Sequence, residues 1–222
     1  MRLSPTLARY AAALRAMLVL TVLLGLAYPL AVLALAQVPG LRGRDAELGQ
    51  SFTTADGAPI ARYFQSRPSV GGYDPMATGA SNLGPESVLD RPGKPSLLTQ
   101  VCDRSLAVGR LEGVSGARPY CAPDGKGAIV AGGPVRGDAP AHPAVPPDAV
   151  TASASGLDPD ISPAYAALQV PRVARERGVP AAQVEALVRR YTYGRDLGFL
   201  GEPRVDVVKL NRALDARFPA RS

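Results

Sequence analysis

The chain has 222 residues, 46% of them apolar, with 23 Gly, 22 Pro and no Trp. That is room for one ordinary domain and a membrane segment, and the Gly/Pro density excludes a plain helical bundle. The formal charge is +6, but Arg2, Arg9 and Arg15 precede the first apolar run and all 19 acidic residues follow it, which leaves +3 beyond Ala36; so mixed a surface lacks the basic stripe of a nucleic-acid binder.

Met17 to Ala36 carries no formal charge over twenty residues. As a helix it spans ~30 Å, the thickness of a bilayer's hydrocarbon core. Gly25 and Pro29 are tolerated in such helices, and Tyr10 suits the interface. The basic flank precedes the run, whereas Arg42 and Arg44 follow it. The asymmetry favours residues 1–16 in the cytoplasm, residues 17–36 across the membrane and residues 37–222 as an extracytoplasmic domain. Ala34-Leu35-Ala36 would also serve as a signal cleavage site. The run is longer than a signal's apolar region, and no polar segment precedes the small residues, so a retained anchor is favoured. Either reading exports the domain.

Residues 61–85 are rich in Gly, Ser, Pro and Tyr and read as a loop region with short strands. Tyr63, Phe64, Arg67, Tyr73, Ser81 and Asn82 stand there as partner-facing candidates, since aromatic and Arg residues are enriched at interfaces. The competing reading is that the aromatics fill a small core and Arg67 satisfies backbone carbonyls. Residues 86–147 read as a surface excursion; five Gly and six Pro among residues 122–147 exclude a long helix or central strand in that part. Cys102 and Cys121, in an exported domain, are most simply a disulfide worth ~3 kcal/mol in the chain-entropy model. Free or metal-binding thiols are the alternative, although a single His leaves a zinc site dependent on carboxylates.

Ala149-Val150-Thr151 reads as a short strand. Ser162 with Pro163 starts a helix that runs toward Arg177, with a kink at Pro171 and a stop at Gly178. Pro180 opens a second helix, buried along Val184, Leu187, Val188 and Tyr191. Gly194, Gly198 and Gly201 break the chain. Asp206 caps a last helix with a core stripe of Val207, Leu210, Leu214 and Phe218. The predicted architecture is a single N-terminal transmembrane helix plus one small α+β domain.

Reactive constellations are scarce. His142 lies among Pro140, Pro143, Pro146 and Pro147, a poor setting for an oriented general base. Gly125-Lys126-Gly127 lacks the hydroxyl residue that a phosphate loop needs after Lys. The stretch ASASGLDP at 152–159 suits a tight turn better than an anion cradle. Asp158 and Asp160 read as turn and cap chemistry. No catalytic residue, metal site or firmly bound cofactor is expected.

Several blocks do carry a resemblance: YPL at 28–30, GQSF at 49–52, YFQSRPS at 63–69, YDPMATGASNLGP at 73–85, VTASASGLDPDISPAYAALQVPRVARERG at 150–178 and GFLGEPRVDVVKLNRALD at 198–215. In this order they resemble the C chain of the bacterial Kdp potassium-transporting ATPase, the KdpC family. The resemblance implies a subunit without its own active site. Its partners would be a potassium-conducting membrane chain and a P-type catalytic chain that hydrolyses ATP. Its implied roles are assembly and stabilisation, and a catalytic-chaperone effect that raises the catalytic chain's ATP affinity. Gln169 is the residue tied to that nucleotide proposal. ATP is cytoplasmic, however, and the charge asymmetry puts Gln169 outside. Either the asymmetry misleads or any effect on ATP is indirect. A structural hydrogen-bonding role suits a Gln inside a helix before Pro. The Cys-bearing excursion between Pro85 and Val150 departs from the family pattern. Beside the family reading stands an exported, membrane-anchored binding module or hydrolase unrelated to ion transport.

Overall fold

The computed structural model of the chain describes residues 4–38 and 48–219. Arg2, Arg42 and Arg44 lie outside the described residues. The chain divides into two compact units, residues 1–46 and 47–222.

The first unit is a helical rod. Ser4 Oγ accepts from the Leu7 N–H, and Pro5 occupies the first turn, where a missing N–H costs nothing. Helix α1 (Pro5–Val22) passes through a π-helical turn, Leu23–Ala27, into α2 (Tyr28–Ala36). The cause is Pro29, which offers no N–H and whose ring would strike the carbonyl four residues back. A wider turn, in which the Tyr28 N–H donates to the Leu23 carbonyl, accommodates it. The helix begins well before the uncharged run, so Arg9 and Arg15 are helical. Large apolar side chains are exposed all round it, from Leu14 through Leu24 to Leu35, a pattern that fits a span rather than a surface helix. Thr6–Ala36 is long and apolar enough to cross a bilayer.

The second unit mixes α and β. Three strands form an antiparallel sheet in the order β3 (Asp160–Ile161), β5 (Arg204–Asp206), β4 (Thr192–Tyr193), after a small hairpin of β1 (Ile129–Val130) and β2 (Gly133–Pro134). Ile161 pairs with Val205, and Val205 with Thr192, so the central strand is shared. Over it lie α4 (Pro163–Arg177), α5 (Ala181–Arg190) and α6 (Val207–Arg217). The starts of α4 and α6 follow the capping rules, whereas α5 begins after Pro180 without a side-chain cap. Ser162 Oγ accepts from the Tyr165 N–H, and Asp206 Oδ1 from the Lys209 N–H. Gly178 ends α4 at φ +64°, a conformation cheap only for Gly. Val170, Val173, Val184, Leu187, Val205, Val207, Leu210 and Leu214 meet in one core.

Three sequence expectations fail here. Residues 86–147 contain a sixteen-residue helix, α3 (Leu97–Glu112). Ser96 caps its start, Gly113 ends it in the left-handed region, and Cys102, Ser105 and Gly109 are buried. Residues 86–96 before it are turns, and the Pro/Gly-rich part after it is irregular apart from the short β1–β2 hairpin. Ala149-Val150-Thr151 is not a strand: Pro147–Ala149 forms a 3₁₀ turn, and Pro147 accepts from the N–H groups of Val150 and Thr151. Residues 61–85 form no strand; polar contacts, many of them to distant parts of the chain, hold them instead.

Candidate functional site

Residues 61–65, Ala-Arg-Tyr-Phe-Gln, leave a turn in which the Tyr63 N–H donates to the Ile60 carbonyl at 3.1 Å and pass beneath the helices without a partner strand. Side chains replace the ladder. Asn211 of α6 accepts from the Phe64 N–H and donates to the Phe64 carbonyl, both at 2.9 Å. Gln169 of α4 does the same for Gln65, accepting its N–H at 2.6 Å and donating to its carbonyl at 3.1 Å. Arg172 donates to the carbonyls of Ala61 and Tyr63, and Arg177 to that of Arg62. Every carbonyl from residue 61 to 65 therefore accepts from a side chain on α4 or α6, which settles groups that could not be left unpaired in a core.

The clamp is itself braced. Arg172, 2% exposed, places Nε 3.0 Å from both oxygens of Glu112 at the end of α3, and Nη2 donates to Gln169 Oε1 at 2.9 Å. Burial pushes the Glu112 carboxyl up, and Arg172 pulls against it. Arg177 reaches Asp215 and the Phe218 carbonyl, and Asp215 also accepts from the Tyr63 phenol at 3.0 Å. Gln169 is 0% exposed, and both its polar atoms are engaged.

The partner-facing candidates separate. Phe64 is fully buried in the core, a correction to the expectation of an exposed aromatic. Tyr63 is half-buried between Phe52 and the guanidinium of Arg177. Arg67 pairs with Asp158 at 3.0 Å. Tyr73 donates to the Arg67 carbonyl at 2.6 Å, and burial lifts its phenol to about 12. These two line a cleft of about 360 Å³ with Ser51, Thr53, Ser66 and Arg104. Ser81 is half-buried and accepts from the Leu83 N–H, while Asn82 is exposed at φ +53°. The structure thus brings Arg67 and Tyr73 together and leaves Ser81 and Asn82 in a separate loop.

Cys102 and Cys121 are bonded, which ties α3 to the Pro/Gly-rich segment. In the ASASGLDP stretch Ser153 Oγ accepts from the Gly156 N–H, so its hydroxyl serves the turn. His142 is exposed. Among the described residues no three His, Cys, Asp or Glu side chains cluster as a metal site would require.

Sequence reasoning missed Asn211, Arg172, Arg177 and Glu112. A signal for Asn211 was present: Val207, Asn211 and Leu214 share one helical face, so a polar residue sits in an apolar stripe and needs a buried partner. Gln169 lies likewise between Tyr165 and Val173. Nothing local pointed to the segment they hold, because the partners are more than 100 residues away.

Comparison with known proteins agrees with this frame. The family model described as the c chain of the K+-transporting ATPase, KdpC, matches residues 10–89 and 131–216. The segment between them carries α3 and both cysteines. The potassium-transporting ATPase KdpC subunit of Kineococcus radiotolerans is 41% identical over 216 residues, covering 91% of each chain. That of Caulobacter vibrioides is 40% identical over 223 residues, covering 93% of this chain and 92% of its own. That of Streptomyces coelicolor is 40% identical over 232 residues, covering 92% and 91%. With matches across both the apolar helix and the clamped domain, this chain belongs to the KdpC family of potassium-transporting ATPase subunits.

Proposed function

We propose that the chain is a non-catalytic accessory subunit that assembles and stabilises an ATP-driven potassium import complex. Its N-terminal helix spans the cell membrane with the N-terminus in the cytoplasm, and its domain lies on the outer side. Its partners are the potassium-conducting membrane chain and the P-type catalytic chain. The observation that carries this reading is the use of the polar interior. Gln169, Arg172, Arg177 and Asn211 are spent on the backbone of residues 61–65, which makes a rigid body rather than a reactive pocket. An adenine on Gln169 would have to break its contacts with Gln65 and Arg172 inside the core. Any effect on ATP affinity therefore acts through the catalytic chain, where the nucleotide binds.

Co-expression with the two large chains tests the assembly role. The expected result is co-purification of all three and a lower yield of intact complex when this chain is omitted. Protease added to sealed membranes tests the topology. Cleavage beyond residue 48 is expected only from the outer side, and cleavage from the cytoplasmic side would restore direct contact with ATP as the better account.

A further inference from the structure

The cleft that Arg67 and Tyr73 line holds polar groups that the fold leaves unspent. Tyr165 of α4 lines it too, and α3 contributes Arg104, Val108 and Leu111. Tyr165 is 2% exposed, yet its phenol makes no hydrogen bond among the described residues. A tyrosine so deeply buried ordinarily finds a partner for its O–H. Arg67 gives Nη1 to Asp158 at 3.0 Å, but its Nε is shielded from water and has no acceptor among the described residues. Arg104 is half-buried and donates to the Val150 carbonyl at 3.1 Å and to Gln100 Oε1 at 3.0 Å. It forms no ion pair among the described residues, and burial works against its charge, with only the exposed Asp103 acting in the other direction. None of the described residues that line the cleft is an Asp or a Glu. The acids that act on Tyr165 are occupied elsewhere, Glu112 by Arg172 and Asp148 by Ser162.

We propose that this cleft binds a free, small organic carboxylate with an apolar body, held by the Arg104 guanidinium and the Tyr165 phenol. The charge of the ligand follows from a guanidinium without a counter-ion in a cleft without acids. A carboxylate suits it best, since it accepts from a planar guanidinium and a phenol at once through separate oxygens. The apolar body follows from Phe52, Val108 and Leu111, which would gain nothing from a bare inorganic ion. The size follows from the volume of about 360 Å³, at the low end of the about 300–1,000 Å³ usual for small-molecule sites. The site is composite. Arg67, Tyr73 and Tyr165 lie in the stretches that match the family model, whereas α3 with Arg104 lies in the unmatched segment, where the Cys102–Cys121 bond ties it down. Ligand binding here is therefore an addition that α3 makes to the shared domain, and it stands apart from the accessory-subunit reading.

Isothermal titration calorimetry of the full chain in a non-ionic detergent, with micelles alone as the blank, tests the proposal with benzoate and pentanoate as probes. Saturable binding of at least one is expected, with the matching amide, benzamide or pentanamide, at least about tenfold weaker. Tyr165→Phe removes only an oxygen that supports nothing in the fold, so its melting temperature should match that of the parent while its affinity for the carboxylate falls about tenfold or more. Arg104→Gln should lose at least as much. Should that variant fold poorly without its bond to the Val150 carbonyl, Tyr165→Phe decides alone. The proposal is overturned if neither carboxylate binds, if the amides or inorganic phosphate bind as tightly as the carboxylates, or if Tyr165→Phe binds them as the parent does.

Discussion

Replacing Gln169 with Leu separates a structural role from a nucleotide role. The substitution keeps the side-chain bulk and removes both polar atoms. It strands the N–H and the carbonyl of Gln65 and one N–H of Arg172, all inside the core. Each buried group left without a partner costs about 1–3 kcal/mol, so non-additive losses place the total at roughly 3–6 kcal/mol. That is a large share of the about 5–15 kcal/mol that holds a domain folded. For a unit of this size each kcal/mol moves the midpoint by about 2–4 °C, so a fall of about 6–24 °C is expected in thermal unfolding of the full chain in detergent. ATP photolabelling of the assembled complex, normalised to the amount of folded complex, should stay unchanged. A midpoint within about 1 °C of the parent, together with lost labelling, would falsify the clamp as the reason for this residue.

Asn211→Leu strands the two polar groups of Phe64 and should cost about 2–5 kcal/mol, read in the same unfolding assay. Glu112→Gln keeps an acceptor for Arg172 and should cost far less than Glu112→Ala, which leaves the guanidinium buried without its carboxylate at about 3–5 kcal/mol; paired denaturant curves distinguish them. Replacing Cys102 and Cys121 together by Ser, or reducing the bond, should remove about 3 kcal/mol and leave α4, α5 and α6 in place, seen as a lower midpoint with nearly unchanged far-ultraviolet circular dichroism. Tyr73 supplies a pH dependence. Its phenol titrates near 12 in the fold against about 10 when unfolded, so the unfolded chain ionises first. Its contribution is complete below about pH 10 and fades as pH rises toward 12, and Tyr73→Phe should flatten that alkaline limb of the stability profile.

The helical half of the fold was legible because its signals are local. Ser162-Pro163, Gly178 and Asp206 mark helix ends through caps that act within four residues, and the apolar spacing of Val207, Leu210 and Leu214 needs only one helix. Helix α3 carried the same signals, Ser96 and Gly113, but the Pro/Gly density that follows it masked them. The clamp was not legible. Residues 61–65 open a Gly-, Ser- and Pro-rich stretch that reads as loop, and their order comes from side chains 104 to 152 positions away. Phe64 and Arg67 stand three positions apart in the same stretch, yet one is core and the other pairs near the surface. Composition cannot separate them, because the difference is made by where α4 and α6 land.

The π-helical turn at Leu23–Ala27 alters how the membrane helix must be mapped. One extra residue in the turn displaces everything after it by about 100° around the axis relative to a regular α-helix. Residues of α1 and α2 that fall seven apart on an ideal helical wheel therefore point in different directions. A substitution scan plotted on an unbroken wheel would scatter one contact stripe into two. Plotted with the offset, the halves before Leu23 and after Ala27 become separate surfaces, each free to face a different neighbour within the bilayer.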